Sequence, residues 1–139
     1  MNWVLDASIA ASLALPDESS TLADKFIKEI FSGEVSELWV PSLFWFELAN
    51  IFYAAQKKQR IEENFLLRYY DMLNQLPIKT DFARGPRYSQ NLAQLSIERQ
   101  ITSYDVSYLE LCQRKAAGLV SADKAMLKQA RALSLKQFR

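Results

Sequence analysis

Residues 101–123 read ITSYDVSYLELCQRKAAGLVSAD, and they decide the fold class because a helical pattern passes into a short apolar strand within them. Gly118 is predicted to end the helix in the left-handed conformation, and Leu119-Val120 is then predicted to form a buried strand. The helix is predicted to face the core with four side chains at three- and four-residue spacings: Tyr104, Tyr108, Leu111 and Cys112.

Two acids in this stretch stand at positions where a carboxylate can either cap a helix or bind a ligand. Asp105 stands in the first turn of the predicted helix, and Asp123 follows the predicted strand. Residues 102–105 also fit a capping box, and Asp123 can cap a helix over Lys124–Leu133, so both acids have a purely structural interpretation. The carboxyl ends of strands in open α/β sheets are, however, where ligands bind. Within this stretch alone, both interpretations stay open.

Length and composition favour one compact domain over residues 1–139. Half of the 139 residues are apolar, which is enough to bury a core. Apolar runs are too short to cross a bilayer and the amino-terminal residues do not resemble a signal peptide, so we expect a cytoplasmic protein without membrane contact. The single cysteine, Cys112, is interpreted as a small buried side chain rather than as a reactive thiol.

The absence of histidine excludes several kinds of chemistry. Serine–histidine and cysteine–histidine catalysis and histidine-ligated zinc are all unavailable, and one cysteine cannot form a thiolate metal site. Catalysis would therefore depend on carboxylates, which prefer hard cations such as Mg²⁺ or Mn²⁺. A net charge of +1 argues against nucleic-acid binding through bulk electrostatics, although a local basic rim stays open.

Two further acids stand where ligand-binding acids are common. Asp6 follows the apolar run 2–5, with Ser8 two residues on, so it either binds a ligand at a strand end or caps the next helix. Glu47 interrupts the apolar face of a helix predicted over 42–59, and Asn50 shares that face. No basic residue occurs between Trp39 and Gln56 to pair with Glu47 locally. An unpaired buried carboxylate is costly, which favours a ligand role.

The order of elements predicts an α/β fold with a mostly parallel sheet of four to five strands and about seven helices. A first helix is predicted to stop at Pro16, a second to begin with a capping box over 21–24, and two more to follow over 62–76 and 87–99. Residues 76–79 and 133–138 are the predicted third and final strands. Parallel strands end at a common edge, so three of the four acids are predicted to meet there.

Four sequence blocks resemble the conserved blocks of the PIN-domain nucleases. They are VLDASIAASLALPDES (4–19), PSLFWFELANIF (41–52), ITSYDVSYLELC (101–112) and LVSADKAML (119–127). Their order and separations are similar to the family's, and the chain length resembles that of VapC-type toxins from toxin–antitoxin pairs. Ser121 stands where many members have threonine, which keeps the hydroxyl.

The resemblance implies a three-layer PIN-like fold and a magnesium- or manganese-dependent endoribonuclease. The implied catalytic and metal-binding residues are Asp6, Glu47, Asp105 and Asp123, holding one or two ions, with support from Ser8, Asn50 and Ser121. It also implies a homodimer and a VapB-like antitoxin. Basic residues are candidates for contacts with the RNA backbone: Lys57, Lys58, Arg60, Arg84, Arg87, Lys124 and Lys128.

Other functions stay open at this stage. The chain is also compatible with a free-standing PIN nuclease of RNA processing, or with a catalytically inert PIN scaffold that binds a partner or nucleic acid. A receiver-like phosphoacceptor resembles it less, because that class has adjacent acids after the first strand. The aromatic residues of the helical hairpin 43–76 exceed what one helix face can bury, which predicts an interface there.

Overall fold

A four-stranded sheet forms the centre of the computed structural model, which describes residues 1–15 and 20–139. Its strands are β1 (Asn2–Leu5), β2 (Glu37–Pro41), β3 (Ile78–Asp81) and β4 (Gly118–Val120). They lie in the order β3-β2-β1-β4, and every neighbouring pair is parallel. The strands are short apolar runs, as expected for parallel strands covered on both faces. The predicted α/β class is confirmed.

Seven helices surround the sheet in the described residues, in agreement with the prediction. They are α1 (Ala7–Ser12), α2 (Thr21–Phe31), α3 (Ser42–Lys57), α4 (Phe65–Leu73), α5 (Pro86–Arg99), α6 (Ser103–Arg114) and α7 (Lys124–Ala132). Helix α1 packs against α3, and α6 packs against β1 and β2. No helix of residues 1–15 and 20–139 has both the length and the apolar character needed to cross a membrane. The predicted stop at Pro16 lies outside the described residues.

The strand order reverses at β1, and this reversal determines where a site can form. From β1 the chain moves to β2 and β3 on one side, and it later returns to place β4 on the other side of β1. At such a switch point the connections leave β1 and β4 in opposite directions and open a crevice at their carboxyl ends. Asp6 follows β1 and residues 121–123 follow β4, so both segments border this crevice.

The chain beyond α7 differs from its prediction. Residues 133–138 do not form a strand, and a single isolated bridge joins Gln137 to Leu119. Two backbone hydrogen bonds hold this segment, from Leu119 N–H to Lys136 and from Phe138 N–H to Leu119, at 2.8 and 3.0 Å. The pairing is short because β4 itself has only three residues. Strand β3 also begins later than predicted, at Ile78.

Two local expectations about caps were wrong. The left-handed residue after α6 is Ala116, with φ of 48°, and Gly118 lies within β4 instead. Gly118 is opposite Trp3, and a Cβ on Gly118 would collide with the Trp3 ring. The absence of a side chain thus serves strand packing. In α2 the cap is Ser20 rather than Thr21, with its side chain accepting from the Ala23 N–H.

The core combines the sheet with the inner faces of the helices. Val4, Leu38 and Leu119 are fully buried on neighbouring strands, and Cys112 is fully buried as predicted. Tyr69 of α4 donates a hydrogen bond from its hydroxyl to the Ala10 carbonyl at 2.5 Å, which ties α4 to α1. These contacts make a rigid support for the edge at which β1 and β4 end.

Candidate active site

Asp6 is held in place by two hydroxyl groups at the carboxyl end of β1. Its backbone N–H donates to Val120 at 3.0 Å, which extends the pairing of β1 with β4 by one residue. Ser8 and Ser121 both donate their hydroxyls to Oδ2 of Asp6, at 2.8 and 2.9 Å. The side chain also accepts from the Ser8 N–H and so caps α1. Asp6 is buried, and these bonds fix the orientation of its carboxylate.

Asp123 is connected to Asp6 through Ser121. The buried Ser121 hydroxyl, which donates to Asp6, also accepts from the Asp123 N–H at 3.0 Å. Asp123 caps α7, since its Oδ1 accepts from the Met126 N–H at 2.9 Å. Asp123 is therefore a helix cap, as its structural interpretation predicted. The cap uses only one oxygen of the carboxylate: Asp123 is exposed, and its Oδ2 makes no hydrogen bond to a described residue.

Asp105 has a free carboxylate within the described part of the chain. The Thr102 hydroxyl accepts from the Asp105 N–H at 3.3 Å and caps α6, which is one half of the predicted capping box. The returning bond from the Asp105 carboxylate does not form in residues 1–15 and 20–139. Burial, with the nearby charges of Asp123 and Asp6, raises the pKa of the half-buried Asp105 carboxyl.

Glu47 is paired with a tyrosine rather than with a cation. The Tyr108 hydroxyl donates to Oε1 of Glu47 at 2.7 Å and joins α6 to α3. Burial raises the pKa of Glu47, the Tyr108 hydrogen bond lowers it, and the charges of Asp6 and Asp105 raise it further. Sequence reasoning missed Tyr108 because the two residues are 61 positions apart. The only available signal was its position three residues after Asp105, on the same face of the helix.

These four residues, Asp6, Glu47, Asp105 and Asp123, are called the acidic edge cluster below. Asp105 is within electrostatic range of the other three, as the causes of the pKa shifts show. No lysine or arginine forms an ion pair with any of the four in residues 1–15 and 20–139. The cluster therefore concentrates negative charge that no ion pair within the described part of the chain neutralises.

The donor set suits a hard divalent cation. Carboxylate and hydroxyl oxygens are the ligands that Mg²⁺ and Mn²⁺ prefer, and the mutual repulsion of Asp6, Glu47 and Asp105 would be relieved by a cation. No three acidic or cysteine side chains in the described residues are already grouped as a metal cage. Magnesium is commonly bound through one or two carboxylates and several waters, so a complete protein cage is not required.

A second group of charged side chains, the Asp81 cluster, was missed by sequence reasoning. Asp81 ends β3 and is buried, and Arg114 donates to both its oxygens, at 2.8 and 2.7 Å. Arg114 also donates to Glu110 at 2.7 Å. The Arg114 hydrogen bonds lower the pKa of Asp81. Local sequence spacing does not predict the pairing of Asp81 with Arg114, because the two residues are 33 positions apart.

The remaining predicted residues lie at several distances from the acidic edge cluster. Asn50 is exposed on α3, and its side chain makes no hydrogen bond to described residues. Lys57 lies ten residues beyond Glu47 on α3, about 15 Å along the helix, and Lys58 and Arg60 follow it. Lys124 directly follows Asp123, and Lys128 is one turn further along α7. Arg84 and Arg87 are exposed on the segment from β3 to α5.

Fold and site together define a class: an α/β protein with a histidine-free acidic centre at the switch point of a parallel sheet. The PIN domain family model matches residues 3–132, and the chain belongs to this family. PIN domains are generally metal-dependent nucleases, so the function is of the nuclease type.

A solved structure has the same fold. The crystal structure of PAE2754 from Pyrobaculum aerophilum is similar to this chain with a TM-score of 0.68 and 22% sequence identity. The alignment covers 93% of this chain and 79% of that one. At this identity the similarity supports the fold alone. No curated protein matches the sequence.

Proposed function

We propose that this protein is a Mg²⁺- or Mn²⁺-dependent endoribonuclease that acts as the VapC-type toxin of a toxin–antitoxin pair. The observation that carries the proposal is the acidic edge cluster. Asp6 and Asp123 share the Ser121 hydroxyl, the charges of the other three acids act on or with that of Asp105, and no cation of the described residues forms an ion pair with any of the four. Structural carboxylates are normally paired, as Asp81 is, whereas carboxylates that bind catalytic ions are free until the ion arrives.

Asp6 and Asp105 would hold the ion, with Glu47 and Asp123 completing its surroundings directly or through water. When bound, a divalent ion lowers the pKa of a water molecule and neutralises charge on the phosphate that is cut. The neighbouring side chains of the protein would position the carboxylates that hold the ion. Ser8 and Ser121 fix the Asp6 carboxylate, and Tyr108 orients Glu47 through its hydroxyl. Such outer partners commonly change metal affinity or activity about 10- to 100-fold when removed.

The proposal includes a cognate VapB-like antitoxin and a homodimer. An apolar groove of about 310 Å³ lies between α3 and α4, and the residues lining it include Phe52, Tyr53, Leu66 and Tyr70. Tyr53 and the neighbouring Leu67 are 61% and 70% exposed. Exposed apolar side chains beside a groove are typical of a partner surface. Light scattering of the protein alone and with the product of the adjacent gene would measure both associations.

The central experiment measures RNA cleavage together with metal binding. Purified protein should cut a panel of structured and single-stranded RNAs with Mg²⁺ or Mn²⁺ and should stop when EDTA is added. Asp105→Asn should lower the rate at least about 100-fold, because removing a ligand exceeds the effect of removing an outer partner. Mn²⁺ at 100 times its Kd should raise the free energy of unfolding of the wild type by about 2.7 kcal/mol.

Asp24→Asn provides a matched control, since it removes an exposed carboxylate from α2, away from the acidic edge cluster. This variant should keep both cleavage and stabilisation by Mn²⁺. Wild-type protein that neither cuts any RNA nor gains stability with Mn²⁺ would contradict the proposal and favour an inert scaffold. An Asp105→Asn protein that is folded and cuts RNA at the wild-type rate would remove Asp105 from the site.

A further inference from the structure

A small cavity lies beside the acidic edge cluster and has no role in the proposed chemistry. It has a volume of about 220 Å³ and lies between the start of α3, the start of α6 and helix α5. Its apolar walls are formed by Leu43, Tyr88, Leu92 and Tyr104. Tyr104 directly precedes Asp105, and Leu43 lies one helical turn before Glu47. The cavity therefore adjoins the position at which a bound RNA strand would meet the acids.

Tyr104 has an unusual environment for a large aromatic residue. The helical pattern predicts that it faces the core, yet it is 63% exposed. Tyr104 stands in the first turn of α6, where it belongs to the wall of the cavity rather than to the buried core. The ring lines the cavity and is also open to solvent. An exposed aromatic ring beside an apolar slot is a surface on which a planar heterocycle can stack.

Two of the polar groups that line the cavity can act only as hydrogen-bond acceptors. Ser42 and Ser107 both line it, and both hydroxyl protons are already committed, to the carbonyls of Asp81 and Tyr104 at 2.8 and 2.6 Å. Each hydroxyl oxygen keeps a lone pair that can only accept. A ligand that satisfies both oxygens must present two N–H or O–H hydrogens on its edge. The exocyclic amino groups of adenine, cytosine and guanine each carry two, whereas the edge of uracil has only N3–H, which lies between two carbonyl acceptors.

Two arginines, one just before α5 and one in its first turn, are adjacent in sequence to residues that line the cavity. Arg84 and Arg87 flank Gly85-Pro86, and Ala83, which lines the cavity, immediately precedes Arg84. Both arginines are exposed, and neither side chain forms an ion pair or hydrogen bond with another described residue. Free arginines next to an apolar slot complement a ligand that is planar at one end and anionic at the other, which is the chemistry of a nucleotide within a strand.

We propose that this cavity binds one unstacked base of the RNA, which stacks on Tyr104 and donates hydrogen bonds to Ser42 and Ser107, while Arg84 and Arg87 contact the adjoining phosphates. The inference rests on the proposed RNA cleavage and adds a selectivity to it. A base with an exocyclic amino group is preferred over uracil. Single-stranded RNA is commonly recognised through such splayed bases.

Binding of short RNAs tests the proposal independently of cleavage. The Asp6→Asn protein, in which cutting is blocked, would be titrated against fluorescent r(A)₆, r(C)₆, r(G)₆ and r(U)₆ and followed by anisotropy. At least one of the first three should bind about tenfold more tightly than r(U)₆, and Tyr104→Ala should remove most of that difference. Tyr104→Phe should keep it, because the ring remains, whereas Ser107→Ala should keep binding and reduce the discrimination.

Phe31→Ala is the matched control, since Phe31 is a somewhat more exposed ring (72%, against 63% for Tyr104) at the end of α2, outside the cavity. It should leave all four affinities unchanged. Equal affinities for the four RNAs, or unchanged discrimination in Tyr104→Ala, would overturn the inference. So would a Tyr104→Ala protein whose only change is the loss of self-association or of a bound antitoxin, because the cavity would then be a protein interface.

The two proposals can fail separately. A wild type that never cuts RNA while base discrimination depends on Tyr104 would overturn the nuclease proposal and support the base site. A wild type that cuts RNA at the same rate at every base, and whose cleavage pattern is unchanged by Tyr104→Ala, would support the nuclease proposal and overturn the base site. Sequencing of the cleavage ends from a random RNA library distinguishes these results.

Discussion

The acidic edge cluster and the Asp81 cluster both contain an acid at the carboxyl end of a strand of one sheet, Asp6 after β1 and Asp81 at the end of β3, yet they hold their charges in opposite ways. Asp81 is buried and paired with Arg114 through two hydrogen bonds, so its pKa is lowered. Asp105 is half-buried without a cation, so its pKa is raised. An acid at a strand end is thus not by itself evidence of a site.

The difference lies in how each cluster obtains its stability. The Asp81 cluster is complete within the chain and joins β3 to α6. The acidic edge cluster is incomplete, because its members repel one another and hydroxyl groups, rather than cations, orient Asp6 and Glu47. Neutralising a charge should therefore have opposite effects on folding in the two clusters, and the following substitutions test this.

The largest effect is expected for Asp81→Asn. It leaves the Arg114 guanidinium with a weaker partner in a partly buried position, which should lower the free energy of unfolding by about 2 kcal/mol. Because the pKa of Asp81 in the folded protein lies below its ordinary value of 3.8, its stabilisation is fully present above that pH and is lost as pH falls through the folded pKa. Urea unfolding of the wild type and of Asp81→Asn at pH 7 and pH 3 would measure this loss and its pH dependence. A difference in the free energy of unfolding between the two proteins that is equal at both pH values would contradict the assignment.

A smaller loss is expected for Ser121→Ala. This change removes the donor to Asp6 and the acceptor for the Asp123 N–H, and should cost about 1 kcal/mol. Cleavage should fall about tenfold, since Ser121 positions Asp6. Ser121→Thr keeps the hydroxyl and should restore both properties. Ser12→Ala provides the control with a stability loss but unchanged cleavage, because it removes a buried hydroxyl whose one hydrogen bond to the described residues is to the Ile9 carbonyl.

Glu47→Gln should act in the opposite direction, with a gain of about 0.5 kcal/mol for the metal-free protein at pH 7. The gain is small because Glu47 is half-exposed and solvent screens its charge. The folded pKa of Glu47 is raised above 4.5, so the protonated form favours folding below that pH and this contribution is lost as pH rises through the folded pKa. The gain should therefore vanish below pH 4.5. A loss of stability at pH 7 would show that Glu47 is paired like Asp81.

The smallest effect is expected for Glu110→Gln in the Asp81 cluster. Glu110 and Arg114 form an i,i+4 pair on α6, in which the Arg114 side chain is 35% exposed. Pairs of this kind contribute about 0.3–0.5 kcal/mol. The loss on substitution should stay within that range and should decrease in 1 M NaCl. A loss as large as that of Asp81→Asn would mean that the three charges act as one inseparable network.

Much of the fold could be predicted because it depends on local patterns. The apolar runs and helical spacings identify the elements, and the four acids stand out because histidine is absent. What was missed depends on contacts between distant positions. Neither the Tyr108–Glu47 hydrogen bond nor the Arg114–Asp81 pair leaves a trace in local spacing. The prediction that Tyr104 faces the core was wrong, because helical spacing identifies residues that share one face of a helix but does not show whether a neighbouring element covers that face.

The helix caps at Asp6 and Asp123 have an evolutionary consequence. Each side chain accepts a hydrogen bond from a backbone N–H at the start of a helix, α1 or α7. Asparagine caps helices about as well as aspartate does. One nucleotide change in either codon would therefore preserve the cap and delete the charge. A duplicated gene could in this way give rise, in a single step, to a folded relative that holds RNA without cutting it.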